Sequence, residues 1–316
     1  MIHLSKSLSV GEELSTYIID VFDELMYQNK KIVVVKNDSK SPKKWENLRK
    51  ENLEQLFHLE VSEENLIGIA AGLNLVEYTP FVHISHPIDI RKMFDQLFIS
   101  DWYVEKTLNI LGLNSRSIAK KKKKNYTAEE DIALMAMIPH SIVCEAADHI
   151  QMAWIMKEFS QYPGVHYVRG NNKRGANVYA KGSIFQLGKG NILCNGTDIL
   201  MIVAGQFVFE ALSVANHLKA YKISCEVIDM FTIKPIDHQL ILDESSGKKQ
   251  VITMENYVVI GGLSSAVECV LAEYQISVSL KKIAVVKLLE QMSPSQQEAG
   301  LAIHSIAQII LESYRK

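Results

Sequence analysis

Apolar positions along this chain follow two rhythms that take turns. Leu14, Ile18, Val21, Phe22 and Leu25 recur every three or four residues and predict an amphipathic helix over residues 10–29. Ile32 to Val35 is an unbroken apolar run and predicts a short buried strand. Lys36-Asn37-Asp38-Ser39 then reads as a loop of turn formers. The alternation continues with a helix opening at Glu63, a strand over Pro80 to Ile84 and a helix from Pro87, which suits a first helical position, to Trp102. A helix from Glu129 stops at Pro139, followed by a strand over 141–145, a helix over 148–161 and a strand over 165–168. Five glycines between Gly170 and Gly190, without sustained periodicity, mark a crossing linker. Beyond it, a strand over 198–204, a helix over 207–220 and a strand over 224–229 form one right-handed unit. A strand at 251–254, a helix from Gly261 to Tyr274, a strand at 282–286 and a helix over 295–314 complete the chain. Strands alternating with helices predict an α/β protein with mostly parallel sheets covered on both faces. The expected division is a first domain over residues 1–172, a linker over 173–190 and a second domain over 191–316.

Length agrees with that division, because 316 residues exceed the usual ceiling for one hydrophobic core. A formal net charge of -2 gives no overall pull toward nucleic acid or membrane. The four cysteines, Cys144, Cys194, Cys225 and Cys269, lack metal-ligand spacing and are expected as buried, reduced thiols. No apolar run reaches membrane-spanning length, so the expectation is a cytoplasmic protein.

The densest chemistry lies at Glu63-Glu64-Asn65-Leu66-Ile67-Gly68-Ile69-Ala70-Ala71-Gly72. Two carboxylates open the helix, and Gly68, Ala71 and Gly72 share one side of it, where another backbone can approach. Acidic residues in a first turn also simply complement the helix dipole. Further candidates are His83 and His86 at a strand end, Arg91 and Lys92 on the next helix, and the Lys120 to Lys124 run. That run reads as a solvated loop, or alternatively as a flap that closes over an anion.

The Glu63 segment resembles the Glu-Gln-Asn helix of the pyrimidine-binding domain in the transketolase family, which includes deoxyxylulose-phosphate synthases and the beta subunits of 2-oxo-acid dehydrogenases. Phe81-Val82-His83-Ile84-Ser85-His86-Pro87-Ile88-Asp89-Ile90-Arg91-Lys92-Met93-Phe94-Asp95-Gln96 is similar to the family's second pocket stretch. Ile228 to Asp237 and Met254 to Leu263 resemble the signatures of its C-terminal domain. The likeness covers almost the whole chain. It implies that the first domain binds the pyrimidine of thiamine diphosphate and the second is a transketolase C-terminal domain.

In such enzymes the residue matching Glu63 hydrogen-bonds the aminopyrimidine and promotes the tautomer that helps deprotonate the thiazolium carbon. A partly desolvated carboxyl suits that work because it shares a proton near neutral pH. His86, Ile88 and Phe94 fall where the ring is held. Arg169, in Tyr167-Val168-Arg169-Gly170-Asn171, resembles an arginine that grips a substrate phosphate, although a local ion pair is an equal reading. Arg91 also stands as a substrate contact. Tyr126 occupies the place of the family's substrate-facing histidine and, as a phenol, is a poor base at neutral pH.

The Gly-Asp-Gly run that holds magnesium against the diphosphate occurs nowhere in the sequence. The resemblance therefore implies one half of a split enzyme. A second polypeptide would carry the diphosphate and magnesium, in an expected heterotetramer with two copies of each chain. The implied activity is transfer of a two-carbon ketol or acyl unit, on a sugar-like or acidic substrate. Alternatives are the beta subunit of a 2-oxo-acid dehydrogenase and a non-catalytic scaffold that binds a partner.

Overall fold

A seven-stranded and a five-stranded sheet organise the computed structural model, which describes residues 2–5, 14–37, 43–84, 89–99, 107–114, 130–171, 177–255, 259–284 and 301–315. The first sheet takes β1 (Ile32–Lys36), β2 (Leu56–His58), β3 (Thr79–Ile84), β4 (Thr107–Asn114), β5 (Ile142–Glu145) and β6 (Gly164–Asn171), all parallel. On one face lie α1 (Leu14–Gln28), α2 (Lys43–Glu51) and α6 (His149–Phe159). On the other lie α3 (Glu63–Leu75), α4 (Ile90–Ile99) and α5 (Asp131–Met137). Strand side chains alternate between the two layers, as the pleat requires. Ile32, Val34, Phe81, Leu111 and Leu113 join the α1 side, and Val35, Val82, Leu108, Ile110 and Tyr167 join the α3 side.

The second sheet has the order β12-β11-β8-β9-β7, built from β7 (Asn191–Cys194), β8 (Ile199–Val203), β9 (Cys225–Asp229), β11 (Gln250–Glu255) and β12 (Ser279–Ala284). Only β7, at one edge, runs antiparallel. α7 (Val208–Leu218) packs with α10 (Leu301–Tyr314), and α8 (His238–Ser245) packs with α9 (Leu263–Glu273). Both apolar clusters continue from the first sheet into the second.

Between β9 and α8 the chain leaves its own sheet. β10 (Thr232–Lys234) pairs antiparallel with β5 and becomes the edge of the seven-stranded sheet, while the Glu145 amide donates to the Phe231 carbonyl at 2.8 Å. Lys234 Nζ then donates to the carbonyls of Ala136 at 2.9 Å and Ile138 at 2.5 Å, at the C-terminal end of α5, where the helix dipole favours a cation. Asp229 accepts from Gln151 Nε2 at 2.7 Å and from the Tyr179 hydroxyl.

Several elements differ from the expected ones. The helix expected from Pro87 to Trp102 is described over Ile90–Ile99. Lys36 is the last residue of β1 and buried, because β2 and β3 pair on either side of it. Cys144 and Cys225 are buried as expected, but Cys194 is half-buried and Cys269 exposed, on the antiparallel edge strand and the outer side of α9. Among the described residues no helix is long and apolar enough to cross a membrane.

Candidate functional site

In a parallel sheet every strand delivers its carboxyl end to one edge and every following helix starts there, so helix N-termini and strand ends converge. Open α/β sheets bind ligands at that edge, where the strand order reverses. Here it reverses at β1, which has β2 on one side and β3 on the other. α3 starts at this edge with Glu63. Ser62 precedes it in extended backbone (φ -69°, ψ 159°) without a side-chain cap bond, which leaves the first-turn acids to complement the exposed amides. Leu66, Ile67 and Ala70 bury the inner stripe of the helix.

Glu63 faces α4. Its Oε2 accepts from Lys92 Nζ at 2.9 Å, with side-chain exposures of 22% for Glu63 and 53% for Lys92. The bond to Glu63 holds the Lys92 ammonium above its ordinary pKa, and Asp89 and Glu64 add to that. Glu64 is held below the usual carboxylate value by hydrogen bonding at its own backbone, then by Ser62, with Lys92 contributing. The apolar setting expected for Glu63 is therefore not what this chain provides by itself, since α4 turns Lys92 toward it.

The outer side of α3 is open: at Gly68 and Gly72 nothing lies within 4 Å of where a Cβ would sit. Among the described residues, the close backbone approach expected at these small residues is not made.

Phe94 and Arg91 have partners of their own on or next to α4. Phe94 is half-buried against Phe98, with ring centroids 5.7 Å apart at 33°. Arg91 pairs through Nε with Glu130, the residue just before α5. His86, Ile88, Tyr126 and the Lys120 to Lys124 run lie outside the described residues.

Arg169 shows the local ion-pair reading and not an open anion grip. At 6% side-chain exposure, its Nη1 bonds Asp131 Oδ1 at 2.7 Å and its Nη2 bonds Glu145 Oε2 at 3.0 Å. The Tyr167 hydroxyl donates to Asp131 Oδ2 at 2.6 Å. Burial works to lower the guanidinium pKa, and the two carboxylates outweigh it and hold it above its usual value. Burial, reinforced by Asp131, pushes the Tyr167 phenol well up. Glu255, across the sheet boundary, is raised by burial despite accepting the Ser264 amide at 3.0 Å, and Glu145 adds to the rise.

Three residues at the same edge escaped the sequence reading as a group. Lys36 Nζ lies 4.3 Å from the Trp45 ring centroid, and His83, opposite Lys36 in the β1/β3 register, lies 5.1 Å from that ring. A lysine closing an apolar strand and a lone tryptophan in the basic Lys43–Glu51 segment were the available signals. His166, by contrast, is a core residue: stacked on Phe159, its Nδ1 2.7 Å from Asn109 Oδ1, and lowered by burial to about 4.

Residues 188–306 match the family described as transketolase, C-terminal domain. A protein of Methanocaldococcus jannaschii named as a transketolase C-terminal section is 29% identical over 295 residues, covering 92% of each chain. The 6-deoxy-6-sulfo-D-fructose transketolase subunit SqwH of a Clostridium species is 31% identical over 210 residues, 66% of this chain and 65% of that one. Among solved structures, a split gene transketolase described as an inactive beta4 tetramer superposes with a TM-score of 0.84 at 28% identity, covering 96% of this chain and 99% of that chain.

Proposed function

Because the chain belongs to the transketolase family as its C-terminal half, we propose that it is one subunit of a split, thiamine-diphosphate-dependent transketolase-like transferase that moves a two-carbon ketol or acyl unit. The observation that carries this reading is Glu63: a carboxylate at the start of α3, on the carboxyl edge where the strand order reverses, on a helix whose glycine side is uncovered among the described residues. Such a carboxylate fits the pyrimidine end of the cofactor. When bound, thiamine diphosphate supplies the nucleophilic carbon and the electron sink for exchanging a carbon–carbon bond. Glu63 would hold and share a proton with a ring nitrogen, and Phe94, with His86 and Ile88, would border the ring.

The open side of α3 gives a companion backbone room to pack at Gly68 and Gly72. Packed against this helix, the companion would bring its part of the cofactor site to the edge where Glu63 sits. The companion would hold the diphosphate and magnesium, and two copies of each chain would form the working assembly. The names of the split relatives support a subunit role, and the sulfonated sugar in one of them supports an acidic or sugar-like substrate. Arg91 and Tyr126 remain our candidates for contacts to that substrate.

The test is Glu63→Gln in the chain reconstituted with its companion. Turnover should fall by roughly 10²-fold or more, the scale of a lost positioned proton donor. Calorimetry with thiamine diphosphate and magnesium should show clear binding by the pair and weak binding by this chain alone. Undiminished turnover of the variant would overturn the reading.

A further inference from the structure

Lys92 is bonded to the one side chain on which the proposed chemistry turns, and its surroundings give it somewhere else to go. It lies on α4, opposite the start of α3, with Nζ 2.9 Å from Glu63 Oε2. Two other carboxylates, Glu64 on α3 and Asp89 just ahead of α4, act on the same ammonium. The remaining charged or titratable groups on the elements packed against α3 are Arg91 and Asp95 of α4, Lys36 of β1 and His83 of β3. Arg91 is engaged with Glu130 and Lys36 lies over Trp45. Among the described residues, the ion pair at Glu63 is the one with Lys92.

Resting on the reading of Glu63 given above, we propose that Lys92 is a placeholder cation: in the unassembled chain it occupies the carboxylate oxygen that a heterocyclic nitrogen must engage, and it moves to Glu64 or Asp89 when cofactor and companion arrive. Three physical points support this. The ammonium's hydrogen bond occupies the Glu63 Oε2 that a ring nitrogen would have to engage. Ion pairs this exposed are weak, and a lysine stem is long and flexible, so the exchange is easy. After the move, the ammonium still has an anionic neighbour on the water side. Glu63 is then left with Oε2 open to the ring nitrogen. Lys92 thus acts through Glu63 as a positioning residue that keeps the free subunit from engaging the cofactor prematurely.

The experiment compares Lys92→Met and Lys92→Arg with the parent chain. In the isolated chain, calorimetry with thiamine diphosphate and magnesium should show binding at least threefold tighter in Lys92→Met than in the parent, and near-parental binding in Lys92→Arg. In the chain reconstituted with its companion, the half-saturating concentration of thiamine diphosphate should fall about three- to tenfold in Lys92→Met, with maximal turnover kept within twofold. If the affinity of the isolated chain and the half-saturation both stay unchanged in Lys92→Met while Glu63→Gln remains inactive, the placeholder role is wrong and the function of Glu63 stands. If Glu63→Gln is fully active, the underlying reading fails and this proposal with it. Circular dichroism of each variant separates these outcomes from misfolding.

Discussion

Gly205 and Glu145 meet across the two sheets with no space for a methyl group between them. Gly205 has φ +65°, and a Cβ built there would run into the Glu145 side chain. Left-handed backbone disfavours alanine by about 1–2 kcal/mol, and forcing extra volume into a packed site costs about 1–3 kcal/mol more. Gly205→Ala should therefore lose roughly 2–4 kcal/mol in denaturant unfolding, with the midpoint displaced and the slope kept. A loss under about 0.5 kcal/mol, the range of innocuous surface changes, would contradict the close approach.

Glu145 is also half of the pair that neutralises Arg169. Arg169→Met strips the cation from two buried carboxylates, Asp131 and Glu145, and should cost about 3–5 kcal/mol. Adding Asp131→Leu should restore part of the loss, because an uncompensated charge is removed with it. Equal losses in the single and double variants would show that the cost is packing and not charge.

Asp229 gives stability a pH dependence whose sign is fixed by its burial. Burial pushes its carboxyl up to about 7; the Tyr179 and Gln151 hydrogen bonds pull the other way and nearby Asp148 adds to the rise. An unfolded aspartate titrates near ~3.9. The folded state thus binds the proton more tightly, and its contribution is fully present below about pH 4 and lost as pH rises through about 7. Asp229→Asn removes this dependence. The difference in unfolding free energy between parent and variant should therefore move against the parent by up to about 1.4 kcal/mol per pH unit across that window, read by urea titration at several pH values. A constant difference would mean that Asp229 titrates normally.

Gly68→Leu separates folding from assembly. With open space at that position, the isolated chain should melt no lower than the parent, and replacing a mid-helix glycine should add about 0.5–1 kcal/mol. Assembly with the companion, followed by analytical ultracentrifugation, should weaken at least tenfold. Intact assembly would place the contact elsewhere.

Much of the fold was legible because long apolar periods leave little choice. The stripe from Leu14 to Leu25 and the runs at Ile32, Ile199 and Val251 appear as α1, β1, β8 and β11 within a residue or a few of their expected ends. One missed element, the central β4 with Leu108, Ile110, Leu111 and Leu113, did carry an apolar signal and was passed over between the helix expected to Trp102 and the one from Glu129; the others lack one. α2 is a strongly polar helix whose buried side chains are Trp45 and Leu48. β7 and β10 are only 4 and 3 residues long, held by a neighbouring strand and not by their own pattern. At the candidate site, the position of Glu63 followed from the helix start and the family likeness. Its partner did not, because a lysine on a helix looks the same in sequence whether it is solvated or turned toward a carboxylate 29 residues away. Arg169 shows the reverse: a residue type suited to binding an anion from outside, claimed instead by Asp131 and Glu145 from distant positions.

The crossing of β10 sets the order in which the molecule can be completed during synthesis. The outer border of the seven-stranded sheet is supplied by residues 232–234, long after the strand it covers at 142–145 has left the ribosome. Until then β5 presents bare amides and carbonyls, a surface open to mispairing with other chains. A truncation near residue 188 would make that interval permanent, so the front portion produced by itself should be prone to clumping, and a piece meant to fold independently must extend past Lys234.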